Sequence, residues 1–471
     1  MRDRKKLIGV LSLVTINFLA IDSLRNIPLT APAGIAIVLF YIGGTLFMFL
    51  PCAIATAELT TKWPVTGGLS CWVETAFGKH TSFFVVWMQW VYNLVWFPSI
   101  TAFAATQLAY SGKFLFVDDP ISLSNNVWYV MIVSLSVFWV ATLINCFGMR
   151  FISIFSIFGA IIGKFIPLIL VIVLAAIWIF SGNHIELNTS LSSSFSHGDI
   201  IGLIVIVLFS LMGIEMASSH AGEVRNPQKN FPRALWITVL IIPISLILAN
   251  LAIDIVVPAG EINSRAGLMQ SFDVFFKAFN ITFMDNVIAL SLFVGAFAGA
   301  AAWSLGLSRY LKKIAQNGYM PKSLAVENKN GIPQNALLFQ AVIVTIICLI
   351  YLFMPSIKSA YWLLSDLTAQ LALIAYIIFF AAAIKLRMKY KWIKKVQYTV
   401  GPRWVSITFY VIGLITCVLG IGAGFILPSG SGMSLFSFDS ILVVGILIFL
   451  IIPSIIMIIK TFMDKHISDL S

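Results

Sequence analysis

Apolar stretches near or above the roughly 20 residues that a helix needs to cross a bilayer recur twelve times along this chain. They fall at about 7–28, 33–57, 83–110, 127–147, 151–181, 200–220, 234–257, 286–308, 335–354, 361–384, 404–427 and 440–462. A barrel strand needs only about 9–11 residues, so stretches of this length predict helices. Composition agrees, with 60% hydrophobic and 10% charged residues, a balance far from that of a soluble domain. The intervening gaps hold roughly two dozen residues at most, too few for an independent fold. The expected fold is an all-α polytopic membrane protein of about 12 transmembrane helices, in one domain over 1–471.

The net charge of +11 could suit a nucleic-acid partner, but its distribution argues against one. Lys and Arg gather in alternate loops: Arg2 to Lys6, Lys62 and Lys79, Arg150, Arg225 to Arg233, Arg309 to Lys329, Lys385 to Arg403, and Lys460 with Lys465. These hold 24 basic residues, against only Lys113, Arg265, Lys277 and Lys358 in the other loops. By the positive-inside rule both termini are cytoplasmic and the number of spans is even. The run from Lys385 to Lys395 also suits attraction to anionic lipid. The first apolar run is too long for a cleavable signal peptide and lacks a small-residue cleavage site. Five scattered cysteines form no CxxC or Cys/His spacing, so neither a metal site nor a disulfide framework is expected.

Two of the stretches are interrupted by polar residues. In the first, Asn17, Asp22, Ser23, Arg25 and Asn26 break the run; in the sixth, Ser210 to Glu215 does so. Polar groups at membrane depth are costly and mark function. Paired breaks in corresponding spans of two halves point to a transporter's substrate site. Five spans separate the two starts, and five is odd, so the halves 7–181 and 200–384 run in opposite directions as inverted repeats. The helices of 404–462 are then additions. Turn residues punctuate the corners at Trp63-Pro64, Gly67-Gly68 and Gln316 to Pro321, and Pro227 keeps Asn226 out of the α region.

The chain is similar to the amino acid–polyamine–organocation superfamily of transporters. The resemblance rests on Ser23-Leu24-Arg25-Asn26-Ile27-Pro28 with Gly34, Ala57-Glu58-Leu59, Gly213-Ile214-Glu215 with Glu223 and Asn226-Pro227, and Trp303 before Gly318. Trp63-Pro64, Gly67-Gly68, Trp72 and Phe77-Gly78 most resemble its glutamate:γ-aminobutyrate antiporter branch. The resemblance implies a five-plus-five inverted repeat, with helices 1 and 6 unwound at mid-membrane and an amino acid held against their exposed backbone. Free N–H groups at a half-helix N-terminus suit its carboxylate, and free carbonyls at the other half's C-terminus suit its ammonium.

Each candidate residue has a structural alternative. Glu215 is a gating or proton-linked carboxylate, or else a paired structural one. Asp22 and Arg25, three apart, either neutralise each other or place Arg25 to receive a substrate carboxylate. Lys164 in helix 5 resembles the lysine that takes the place of sodium in some superfamily members, which makes it a proton-coupling candidate beside Glu215. By the same resemblance Trp303 stacks on substrate; otherwise it packs. Gln89, Asn93 and Trp96 share a face of helix 3 and either line the cavity or bond between helices, as do Asp366 and Gln370 in helix 10. Glu58, Glu74 and Glu223 sit at cytoplasmic corners, where pairing with Lys or Arg would form the inward gate. His184 and His197 lie in an outer loop and read as solvated.

No phosphate-cradling GxxxxGK[ST] motif occurs, so gradient coupling or exchange remains. The expected function is secondary active transport of an amino acid such as glutamate by alternating access, in exchange for a related amine or amino acid. Proton symport, with protons as co-substrate, is the alternative, followed by a non-transporting amino acid sensor. A membrane enzyme lacks a catalytic constellation, and a channel lacks rings of charge. The expected setting is the bacterial cytoplasmic membrane, with the lipid bilayer and a small-molecule amino acid as partners and no cofactor.

Overall fold

The computed structural model describes residues 8–21, 24–64, 68–112, 119–187, 197–392, 397–426 and 433–470. Twelve helices in it are long and apolar enough to cross a membrane: Val10–Ala33, Ala36–Lys62, Lys79–Ser111, Val127–Cys146, Phe155–Phe180, Gly202–Ser219, Pro227–Asp254, Met284–Gln316, Gln334–Phe353, Ile357–Lys389, Arg403–Ala423 and Leu435–Asp464. We number them spans 1 to 12. Among the described residues there is no strand, only an isolated bridge between Ile8 and Val224.

Spans 3, 8 and 10 run 33 residues each, about 50 Å at 1.5 Å per residue, against a hydrocarbon core of about 30 Å. They extend beyond the apolar stretches because a helix already nucleated continues through polar residues at little cost. Residues 309–316, beyond the apolar stretch 286–308 read from sequence, are thus the end of span 8, closed by Gly318 at φ +78°. Span 7 begins at Pro227, with Asn226 in the left-handed region at φ 45°, as the Asn-Pro pair requires.

Spans 3 and 10 are buried along most of their length and form the centre of the bundle. Exposed apolar side chains such as Leu39, Ile169, Leu240, Ile346, Leu419 and Ile455 lie on the outer faces. That much bare apolar surface suits lipid rather than water. Spans 5 and 8 approach backbone to backbone, since a Cβ on Gly163 would strike the Gly295 backbone and one on Gly159 would strike Ala298. Only small residues permit such contact. Beside this contact, Ile161–Phe165 takes a π-helical turn, a local widening often found at functional sites.

Short helices connect the spans. Gly68–Phe77 follows span 2, and Gly68 at φ +48° leaves no room for a Cβ against Ser218. Gly267–Ala278, between spans 7 and 8, buries Leu268, Met269, Phe272, Phe275 and Phe276 on one face.

Candidate functional site

The helix of span 1 runs Val10–Ile21, and beyond residues 22 and 23 the chain resumes as a 3-10 turn, Leu24–Asn26, before Ile27–Thr30. Asp22 and Ser23 lie outside the described residues. Span 6 winds as His197–Ser210, stops, and resumes as a 3-10 helix at Ile214–Glu223. Gly213 makes the stop, at φ 114° and ψ −1°, a conformation open to glycine and costly for most other residues. The described residues on either side of 22–23 meet the stop of span 6. A Cβ on Gly213 would lie 3.3 Å from the Ala20 carbonyl oxygen, and Asn26 Nδ2 donates to Ser210 Oγ at 3.0 Å.

A cavity of about 60 Å³ opens at this meeting point, several times the roughly 10–15 Å³ that one water needs. Ala20, Ile21, Asn26, Gly213 and Met216 bound it from spans 1 and 6. Asn93 and Trp96 of span 3 and Trp303 of span 8 close the other side. Trp96 and Trp303 lie 6.3 Å apart between ring centroids, inclined at 60°. Gln89 is buried a turn away from Asn93 and does not line the cavity; its carbonyl accepts from Asn93 Nδ2 at 2.7 Å. Trp303 is half-buried with an open face, so removing it should spare the fold. We expect Trp303→Ala to weaken substrate binding roughly tenfold, about 1.4 kcal/mol, read by substrate titration; unaltered affinity would mean that the ring only packs.

Glu215 is 2% exposed and stands behind the cavity wall. Tyr376 of span 10 holds it: the phenol donates to Glu215 Oε2 and accepts from the Gly213 N–H at 2.7 Å. The same hydroxyl thus ties the carboxylate to the break. Ile214, fully buried, begins the second half of the span.

Arg25 is 1% exposed. Its Nη1 donates to Ser365 Oγ at 3.2 Å. The guanidinium lies 5.9 Å from the Trp96 ring and 5.7 Å from Tyr361, whose hydroxyl donates to the Arg25 carbonyl. Among the described residues, Nε and Nη2 have no hydrogen-bond partner. The guanidinium stacks on the ring that lines the cavity, and two nitrogens of its planar fork are unused by the described residues.

Lys164, in the π-helical turn, reaches span 1. Its ammonium donates to the carbonyls of Phe18 and Leu19 at 3.0 and 3.1 Å, and the Phe18 ring lies 5.7 Å away. These carbonyls lie toward the end of Val10–Ile21.

Away from the cavity, Glu58 is buried completely. Arg387 Nε at the end of span 10 lies 3.2 Å from its Oε2, Tyr410 donates to Oε2 at 2.7 Å, and Ser406 Oγ and the Val400 N–H donate to Oε1 at 2.7 and 3.0 Å. The carboxylate joins spans 2, 10 and 11. Glu223 is half-buried, and its carbonyl accepts from the Ile8 N–H at 3.2 Å. That bond, with Arg225 N–H donating to the Ile8 carbonyl, ties the start of span 1 to the end of span 6.

Sequence reasoning named the breaks but passed over Tyr376, Tyr361 and Ser365, which clasp them from span 10. The available signal was a tyrosine and a serine inside an otherwise apolar run, where each hydroxyl needs a partner. Asp366 and Gln370, on the same helix, turn away from the cavity, and Gln370 Nε2 donates to the Ile421 carbonyl of span 11 at 3.1 Å.

Residues 8–451 match the amino acid permease family. An uncharacterized transporter of Legionella pneumophila is 41% identical over 457 residues, covering 96% of this chain and 97% of that protein. A glutamate/gamma-aminobutyrate antiporter of Lactococcus lactis is 27% identical over 439 residues, 91% of this chain and 86% of its own length. An aromatic amino acid transport protein of Escherichia coli is 27% identical over 380 residues, 78% and 76% of the two chains. With twelve candidate spans among the described residues and a cavity between spans 1 and 6, this chain belongs to the amino acid permease family, which comprises transporters and not enzymes.

Proposed function

We propose that the chain is a secondary active amino acid antiporter working by alternating access, exchanging an acidic amino acid such as glutamate for a related amine or amino acid. The observation that carries this reading is the cavity at the meeting of the two breaks, bounded by backbone of both polarities. Ala20 and Ile21 of span 1 lie on the cavity wall, and backbone carbonyls there suit an ammonium. Span 6 begins its second half at Ile214, where N–H groups attract a carboxylate. The unused donors of Arg25 favour a second carboxylate on the substrate. The name of the Lactococcus relative agrees with that choice.

In this reading the halves 7–181 and 200–384 are inverted repeats that rock against each other, 404–462 are additions, and Glu58 and Glu223 brace the inward end. In the same reading both termini are cytoplasmic, which the basic loops support, and the membrane is the bacterial inner membrane. Proton symport is a second reading, favoured by Lys164. Its ammonium occupies carbonyls that could otherwise ligate sodium, and an amine can carry a proton. We expect Lys164→Ala to change the pH dependence of uptake; an unchanged profile at normal expression would make the residue structural.

Counterflow in proteoliposomes tests the proposal. Vesicles are preloaded with unlabelled amino acids and amines one at a time, and entry of labelled glutamate, arginine and a neutral amino acid is followed at pH 5.5 and 7.5. Rapid glutamate entry that requires a particular internal partner is the expected result. Uptake into empty vesicles driven by a proton gradient would replace exchange with symport. No flux from protein that still binds an amino acid would replace transport with sensing.

A further inference from the structure

Three of the described residues around the cavity are small: Ala20, Gly213 and Ala372. Ala20 and Gly213 stand where spans 1 and 6 approach backbone to backbone, since a Cβ on Gly213 would lie 3.3 Å from the Ala20 carbonyl oxygen. Ala372 stands elsewhere, buried in the middle of span 10, which is helical from Ile357 to Lys389. The other walls are large, with Phe209 and Met212 from span 6, Tyr92 and Trp96 from span 3 and Trp303 from span 8.

Ala372 belongs to a face of span 10 that touches the site along its length. At 3.6 residues per turn, Tyr361, Ser365, Ala372 and Tyr376 fall within about 60° of one another. Toward one end, Ser365 receives Arg25 Nη1 and Tyr361 donates to the Arg25 carbonyl. Toward the other, Tyr376 holds Glu215 and the Gly213 N–H. Along the axis Ala372 is about 6 Å from Tyr376 and about 10 Å from Ser365. It therefore meets the cavity between the stop of span 6 and Arg25. On the Arg25 side the cavity is bounded by Asn26, the neighbour of Arg25, and by Trp96, against which the guanidinium lies.

A solute held by backbone where spans 1 and 6 meet still has a side chain to place, and the way toward Arg25 passes Ala372. A longer residue at this position would project into a cavity of about 60 Å³ and compete with the solute for it. We propose that Ala372 is a specificity-determining residue of the cavity and sets the length of substrate side chain that it accepts. It offers the solute no hydrogen bond and selects by the space that it leaves. A bulkier residue shortens the limit, and glycine lengthens it. That the side chain ends in a carboxylate rests on the antiport reading; the length limit does not.

Calorimetric binding to the full chain in detergent tests this with two homologous series, aspartate, glutamate and aminoadipate, and alanine, norvaline and norleucine. Affinity of the unsubstituted protein should fall off beyond a certain length; affinity without such a limit overturns the proposal. Ala372→Val should lower affinity for the longest bound member roughly tenfold or more and for a shorter one about twofold at most, since one methylene in a pocket is worth about that much. Ala372→Gly should admit the next longer member. A limit that both variants leave in place overturns the proposal, because a residue that only packs changes stability and not the order of affinities. Should Ala372→Val fail to fold, Ala372→Cys brings the bulk after folding, when methyl methanethiosulfonate caps the thiol. The limit must then shorten relative to the unsubstituted protein treated alike; an unmoved limit overturns the proposal. A shift confined to the neutral series overturns the acidic substrate and leaves the role of Ala372 standing. Binding of neither series overturns both.

Discussion

Glu215→Gln should leave the protein folded and abolish or uncouple exchange. The two side chains have the same shape, and the glutamine carbonyl can still accept from Tyr376, which continues to receive the Gly213 N–H. The bonds that set the break of span 6 therefore survive. What disappears is the carboxyl group beside the cavity wall, the titratable group that the proposed exchange would use. Size-exclusion elution and thermal stability should match the unsubstituted protein, while counterflow falls to background or loses its response to pH. Wild-type flux with a wild-type pH response would remove Glu215 from the site. Tyr376→Phe is the informative partner: it strands the Gly213 N–H and one carboxylate oxygen, at a cost of about 1–3 kcal/mol for each buried group. It should therefore lower both stability and flux.

Glu58→Ala should destabilise the protein by about 3–5 kcal/mol, the range for breaking a buried ion pair. Its carboxylate faces Arg387, Tyr410, Ser406 and the Val400 N–H from three separate segments. Removal leaves the Arg387 guanidinium, 5% exposed, without its counter-charge. The substitution should lower the melting temperature in detergent by many degrees, and replacing both partners with apolar residues should recover much of the loss. An unchanged melting temperature would show that the pair is not what joins spans 2, 10 and 11. This reverses the balance expected at Glu215, where stability holds and flux is lost.

The spans were legible because each apolar run is set by the thickness of the bilayer, a constraint local to the run. Their ends were less legible, as span 8 shows, because polar residues continue a helix without marking its exit from lipid. The breaks were legible because Arg25, Asn26 and Glu215 are out of place in hydrocarbon and Gly213 allows a turn that other residues resist. The helix Gly267–Ala278 passed unnoticed, although Leu268, Met269, Phe272, Phe275 and Phe276 carry a helical spacing; its apolar face is too short to read as a span.

The sequence by itself determined an all-helical membrane protein with polar residues interrupting two apolar stretches and basic residues gathered in alternate loops. Bilayer thickness, backbone hydrogen bonding and charge each act over a few neighbouring residues. Only the tertiary structure decided which polar groups meet. Tyr376 reaches Glu215 across 161 positions and Tyr410 reaches Glu58 across 352, and Lys164 finds the carbonyls of Phe18 and Leu19 some 146 positions earlier. The rotation and depth of each helix set those meetings, through close approaches such as Gly163 against Gly295. A buried hydroxyl or carboxylate announces that it needs a partner; helix packing chooses which one it receives.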